Sequence, residues 1–259
     1  MSSRKTLTKT ITVAGKGGTG KTTVSALLIE LLSKKGTVLA IDADPSSNLH
    51  LALGLPLAQT IGAVREEMMA AVKSRTMEPS LAKQDYLELK VQESLVESKG
   101  MDLLAMGRPE GPGCYCAANS MLRTCIDRLA SNYDYVVIDS EAGMEHISRQ
   151  TTRDVDILLL VSDMSTRGVI SAALMKELIK ELRTSVDRIA LIINRADREI
   201  STEIKKVIDE AELELIGLLP NEPAIAELDS HGRPLVELPA NSRLRQAIAD
   251  VAQKLGLLP

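Results

Sequence analysis

Apolar residues in this chain gather in short consecutive runs, separated by longer stretches with a helical period. The runs are TITVA (10–14), TVLAI (37–41), DLLAM (102–106), YVVID (135–139), DILLLV (156–161), RIALIIN (188–194) and LELIGLL (213–219). Several are apolar at successive positions, the pattern of strands covered by helices on both faces. Between them, KTTVSALLIELLSKK (21–35) and SAALMKELIKELR (171–183) read as helices, and in the second Leu174, Leu178, Ile179 and Leu182 fall on one face. The C-terminal stretch 241–259 aligns Leu244, Ile248, Val251 and Leu255 in one stripe, expected to pack against the sheet. Strand–helix alternation predicts an α/β fold: a doubly wound, mostly parallel sheet of seven to eight strands with helices on both faces. A single domain is expected over 1–259, with a helical and polar excursion around 62–98 inserted after the second strand.

Composition narrows the function. The chain holds 44% hydrophobic residues but no Phe, no Trp and four Tyr, so the core must be Leu, Ile, Val, Ala and Met. So few aromatics leave little to stack on bases, and a net charge of −4 supplies no general attraction to nucleic acid or anionic lipid. No apolar run approaches the ~20 residues of a membrane span. The polar start MSSRKTLTKT does not read as a secretory signal, and three cysteines, an odd number, fit a reducing cytoplasm with free or metal-bound thiols. Neither a nucleic-acid nor a membrane partner is expected.

The first chemical signal follows the first apolar run. GKGGTGKT, Gly15 to Thr22, matches G-x-x-x-x-G-K-[ST] between a strand and a helix, the setting a phosphate-binding loop requires. Glycines turn backbone N–H groups toward a phosphate, and the helix that follows adds its positive end. In this reading Lys21 pairs with the β- and γ-phosphates of ATP, and the Thr22 hydroxyl ligates Mg²⁺. Gly15, Lys16, Gly17, Gly18, Thr19, Gly20, Lys21, Thr22 and Thr23 form the nucleotide-binding set. The bland alternative is a tight strand-to-helix turn. Asp44 and Asp139 fall at carboxyl ends of predicted strands, the edge where open α/β sheets bind ligands, although Asp42 and Asp44 also suit helix caps.

KGGTGKT carries a second lysine, Lys16, five residues before Lys21. That pattern resembles the deviant Walker A family of dimeric ATPases: MinD, ParA, the nitrogenase iron protein and the ATPases of metal-centre maturation, a SIMIBI-like branch of the P-loop NTPases. The resemblance implies ATP hydrolysis in a homodimer, with Lys16 reaching the partner's nucleotide. It assigns DADPSSNL (42–49) to the first switch with Asp44, and VVIDSEAG (136–143) to the Walker B strand and second switch, with Asp139 holding Mg²⁺ through water. INR (193–195) supplies Asn194 as the adenine-reading residue. Lys16, Lys21 and Asp44 are the implied catalytic set; Thr22, Asp44 and Asp139 are the implied magnesium set.

GPGCYC (111–116) places Cys114 and Cys116 one residue apart. In an extended segment, i and i+2 point the same way, so the pair can offer two thiolates to one metal. A disulfide across one residue would be strained, and two sulfurs fill only half a tetrahedral site. A two-fold axis would supply the other half from a symmetry mate. Two small buried residues are the alternative. GPGCYC within this framework, with EAGMEH (141–146), resembles the nickel-insertion ATPases of carbon monoxide dehydrogenase, the CooC type, or of acetyl-CoA synthase. That branch implies Ni²⁺ or Zn²⁺ at Cys114 and Cys116, and the apo form of either enzyme as client. A MinD/ParA-like positioning ATPase and an iron–sulfur reductase remain alternatives. Cys125 is expected in the core, and His146 is ambiguous.

Overall fold

Among the described residues, eight strands form one sheet, in which the strands, numbered by their place in the chain, run in the order 3-4-2-5-1-6-7-8. The computed structural model describes residues 8–57, 59–74, 83–108, 116–140, 154–182 and 185–258. The strands are β1 (Lys9–Gly15), β2 (Val38–Asp42), β3 (Val96–Ser98), β4 (Met101–Ala105), β5 (Tyr135–Asp139), β6 (Asp154–Ser162), β7 (Ser185–Ile193) and β8 (Glu214–Leu218). All neighbours pair in parallel except β3, a short edge strand antiparallel to β4. The helices are α1 (Lys21–Leu32), α2 (Leu49–Leu53), α3 (Ile61–Ser74), α4 (Lys83–Glu93), α5 (Cys116–Ala130), α6 (Thr166–Leu182), α7 (Thr202–Glu210), α8 (Pro223–Ser230) and α9 (Arg243–Lys254).

Consecutive apolar strand residues are explained by burial on both faces. Ile11, Val13, Ala40, Val137 and Leu159 pack under α1 and α9. Successive side chains alternate faces, so Leu39, Ile41, Val136 and Ile138 meet α3, α4 and α5 on the other side. Leu158, Leu160, Leu191 and Ile193 meet α6 and α7 on that same second side. The predicted excursion at 62–98 is thus two described helices, α3 and α4, packed on the sheet, followed by β3. Leu244, Ile248, Val251 and Leu255 are all buried, as the stripe in the C-terminal stretch predicts.

One face read from the sequence is divided. Of the residues read as one face of α6, Ile179 is 3% exposed but Leu174 is 65% and Leu178 37% exposed, so they do not share an environment. Leu182 lies among side chains outside the description. The helix instead buries Val169, Ala172 and Ile179 against β6 and β7. Two apolar stripes run along this helix, and the one carrying the small Ala172 permits the closer approach to the sheet.

Candidate nucleotide site

β1 lies between β5 and β6, two strands made later in the chain, so its carboxyl end opens into the crevice where such sheets bind ligands. The loop 16–20 leaves from that end and runs into α1. Gly15 is required by proximity: a Cβ there would stand 2.2 Å from the carbonyl oxygen of Val161 on β6. Gly20, the residue capping α1, has φ of 90° and no side chain to offer the helix. A Cβ on it would also meet Asn194 Nδ2 at 2.3 Å. The amides of Gly17, Gly18 and Gly20 donate to no backbone carbonyl among the described residues. Uncapped donors at the start of a twelve-residue helix form an anion site by geometry and dipole together.

Side chains brace this loop. Thr19 Oγ1 donates to the Lys16 carbonyl at 2.9 Å, and Lys21 Nζ reaches the same oxygen at 3.4 Å. Asn194, buried one residue past β7, donates from Nδ2 to the Thr19 carbonyl at 2.9 Å, while its Oδ1 accepts the Arg195 amide at 2.9 Å. Arg195, at φ of 54°, reaches the Gly18 carbonyl with Nη1 at 3.3 Å. Lys21 is buried and Lys16 is exposed. That contrast suits one lysine serving its own loop and one free to act elsewhere.

Three carboxylates stand beside the loop. Asp42 and Asp139 occupy the last positions of β2 and β5 and are partners in register across the sheet. Burial pushes Asp139 up to about 6, against hydrogen bonds from Thr22 and Ser25 and the charge of Lys21. Ser25 Oγ, fully buried on α1, donates to Asp139 Oδ1 at 2.9 Å. Burial also pushes Asp42 up to about 7, opposed by backbone donors and reinforced by Asp139. Its Oδ2 accepts the amide of Leu49, the first residue of α2, at 2.9 Å, and its Oδ1 accepts that of Asp44 at 3.1 Å. Asp42 is therefore the residue that closes the 42–49 turn. Asp44 is half-buried, and its Oδ1 accepts the Ser46 amide at 2.8 Å.

Thus the fold brings together Gly15 through Thr23, Asp139 and Asn194, with Asp44 on the adjoining turn. Two contributors escaped the sequence, Ser25 and Arg195, whereas Asp42, which suits a helix cap in the sequence, does accept the first amide of α2. A cleft of about 420 Å³ next to the loop, lined by Thr23, Asn194, Arg195, Pro220, Glu222 and Asp229 among others, was also missed. Its volume suits a nucleoside-sized group. The one available signal was the position of 220–223 just past the last predicted strand.

The cysteines stand differently. Cys114 lies outside the described residues, and so do Glu141 to His146. Cys116 is the first residue of α5, so the extended geometry assumed for the pair does not hold at its second member. Cys125 is buried in the core between α5 and the sheet, as expected. Among the described residues, no group of three or more His, Cys, Asp or Glu could hold a metal ion. The segment leading to the pair is anchored: the Met106 amide donates to the Asp42 carbonyl at 2.8 Å, and the Gly62 amide to the Met106 carbonyl at 2.9 Å.

Residues 10–235 match the model of the CobQ/CobB/MinD/ParA nucleotide binding domain. The chain belongs to this family. Within the CobQ/CobB/MinD/ParA family it is 45% identical over 246 residues to an uncharacterized ATP-binding protein of Methanocaldococcus jannaschii, spanning 95% of this chain and 97% of that protein. It is 32% identical over 242 residues to the carbon monoxide dehydrogenase accessory protein CooC of Rhodospirillum rubrum, spanning 88% of this chain and 89% of CooC. In fold it is similar to a ParA family ATPase from Chlorobium tepidum, with a TM-score of 0.71, 23% identity, and coverage of 96% and 98%. Membership makes the chain a P-loop ATPase of the MinD/ParA/CooC kind, whose members commonly dimerise. No helix among the described residues is long and apolar enough to cross a membrane.

Proposed function

We propose that this ATPase is a nucleotide-dependent dimer that carries nickel to apo carbon monoxide dehydrogenase or acetyl-CoA synthase. The observation that carries the reading is the Met106-to-Asp42 hydrogen bond. It ties the strand end that leads to Cys114 and Cys116 to the strand end that leads to Asp44. Movement of the 42–49 turn at the nucleotide therefore has a direct backbone route to the cysteine segment. The similarity to CooC, over most of both chains, supports the same reading.

Each residue has a defined task in this account. Lys21 and the amides of the 16–20 loop hold the β- and γ-phosphates, and Lys16 crosses to the partner's nucleotide. Thr22 and Asp139 hold Mg²⁺, Asp139 through water, and Ser25 keeps the Asp139 carboxylate aimed at the loop. When bound, Mg²⁺ neutralises charge developing on the phosphates. Asp44 orients the attacking water. Asn194 contacts adenine from its place against the loop, and the adjoining cleft receives the nucleoside. Cys114 and Cys116 of two chains close a four-sulfur site around the cargo ion, and Zn²⁺, which binds thiolates tightly, occupies it when nickel is scarce.

The test is a Ni²⁺ titration of the full chain, read by thiolate charge-transfer absorption. Cys114→Ser and Cys116→Ser should each lose the band, and Cys125→Ser should keep it. A band that survives Cys114→Ser/Cys116→Ser overturns the cargo site. A MinD/ParA-like positioning role has the family likeness behind it, yet leaves the cysteine pair without a task. A stable ATP-bound dimer that takes up no metal would favour it.

A further inference from the structure

The exposed stripe on α6 has a two-fold pattern of its own. Ile170, Leu174 and Leu178 are 43%, 65% and 37% exposed, opposite the Val169, Ala172 and Ile179 face that meets the sheet. They recur every four residues, so they form one ridge along the helix. Arg167 and Glu181 lie seven residues before and after Leu174, about two helical turns away, and both are exposed. Neither makes an ion pair among the described residues, whereas the neighbouring Lys180 and Glu177 pair with each other at 2.8 Å.

Laid antiparallel on a second copy of itself and centred on Leu174, the ridge and the two charges that flank it are complementary. Leu174 meets Leu174 on the axis. Ile170 meets Leu178 of the other copy, and Arg167 meets Glu181, each contact occurring twice. A parallel arrangement would instead place Arg167 against Arg167. We infer that the outward face of α6 is an isologous contact with a second copy of this chain, centred on Leu174 and fixed in direction by the Arg167–Glu181 pair. Charge complementarity chooses the second copy as occupant, because the two opposite charges sit symmetrically about the centre of the apolar ridge.

This contact is separate from the nucleotide-dependent one. In the proposed function that association would use the strand-end edge where the 16–20 loop lies, whereas the α6 ridge faces away from the sheet. One helix pair is small beside the ~1,600 Å² of a standard interface, so the association is weak and visible only in concentrated protein.

The test uses the full chain carrying Cys114→Ser/Cys116→Ser, without nucleotide, so that neither proposed association contributes. Sedimentation equilibrium is followed up to about 1 mM, where millimolar contacts show. A concentration-dependent dimer is expected. Arg167→Glu and Glu181→Arg should each weaken it by about tenfold through like-charge opposition. The double reversal Arg167→Glu/Glu181→Arg should restore it to within about twofold of the parent, because the pair is re-formed with its signs exchanged. These are exposed residues, so the variants are expected to fold; circular dichroism checks this. A monomeric parent at about 1 mM, or a double reversal no better than the singles, overturns the proposal. A monomer here leaves the metal and nucleotide reading standing, since that reading is tested by the nickel band.

Discussion

Among the connections that leave parallel strands and run into helices, two differ in what they present. One joins β1 to α1 through residues 16–20, and the other joins β4 to α5 through 106–115. The first is closed by the chain itself. Thr19, Lys21, Asn194 and Arg195 all bond its carbonyls, and Val161 sits where a larger residue than Gly15 would need to be. The second is anchored at its start by Asp42 and Gly62 and leads to Cys114 and Cys116, which would be two of the four ligands of a tetrahedral site. The phosphate cradle of the first is assembled within one chain, and only Lys16 of that loop is proposed to act on a second copy. On the proposed function, the cysteine pair takes its remaining ligands from a second copy.

The largest effect that would break this comparison is loss of the loop's charge. Lys21→Ala should abolish measurable ATP hydrolysis, a loss of at least about 10³-fold, by removing the cation at the β- and γ-phosphates. Lys16→Ala should retain nucleotide binding yet lose hydrolysis and ATP-dependent dimerisation. Nucleotide affinity and sedimentation mass, measured on both variants, separate the two lysines. A Lys16→Ala chain that dimerises and turns over normally would mean that the exposed lysine does no work across an interface.

Much of this contrast was readable beforehand, for a physical reason. Glycine spacing in 15–20 reflects backbone conformations that other residues resist, and those leave a mark on the sequence. The seven apolar runs were legible because burial on both faces demands unbroken aliphatic stretches. The three-residue β3, VES, had no such mark. The buried face of α6 was not legible because its two apolar stripes are equally periodic, and periodicity does not say which one meets the sheet. Ser25 was invisible for another reason. Its partner Asp139 is 114 positions away, and an interior helical serine carries no local signature. The cysteine pair sits between these cases, with a legible spacing but a geometry that α5 changes by starting at Cys116.

A smaller effect tests the bracing of the phosphate loop. Gly20→Ala must adopt φ of 90° and displace the Asn194 amide, so it should destabilise the chain by about 1–3 kcal/mol and weaken nucleotide binding. Adding Asn194→Ala removes the collision but not the backbone strain. The double variant should therefore recover only part of the lost stability in thermal unfolding. Full recovery would show that the clash alone explains the glycine.

Proton linkage gives the next test. Asp139 titrates near 6 and Asp42 near 7 in the folded chain, both above the ordinary carboxylate value. Raised carboxyl values mean that the fold prefers their protonated forms. Their contribution to nucleotide-free stability is full below about pH 4 and is lost as pH rises through 6 and 7. Asp139→Asn should therefore stabilise the nucleotide-free chain at pH 8, on the order of 1–3 kcal/mol, and much less at pH 5. Equal stabilisation at both values would contradict the linkage. Magnesium needs the ionised carboxylate, so kcat/KM should fall as pH drops through about 6, since it reports the free enzyme. The smallest change belongs to Ser25→Ala. It removes one donor from that carboxylate, about 1 kcal/mol, and should move the acid limb of the same profile upward by a fraction of a pH unit.

The central claim is that the cysteine connection is completed by a second copy around one cargo ion. Native mass spectrometry of the nickel-loaded chain tests it most directly, because it weighs the assembly and counts its metal together. A dimer carrying one nickel ion, absent from Cys114→Ser/Cys116→Ser and retained in Cys125→Ser, is the predicted result. One nickel ion on each monomer, or a dimer of the double variant that still carries one, would contradict it.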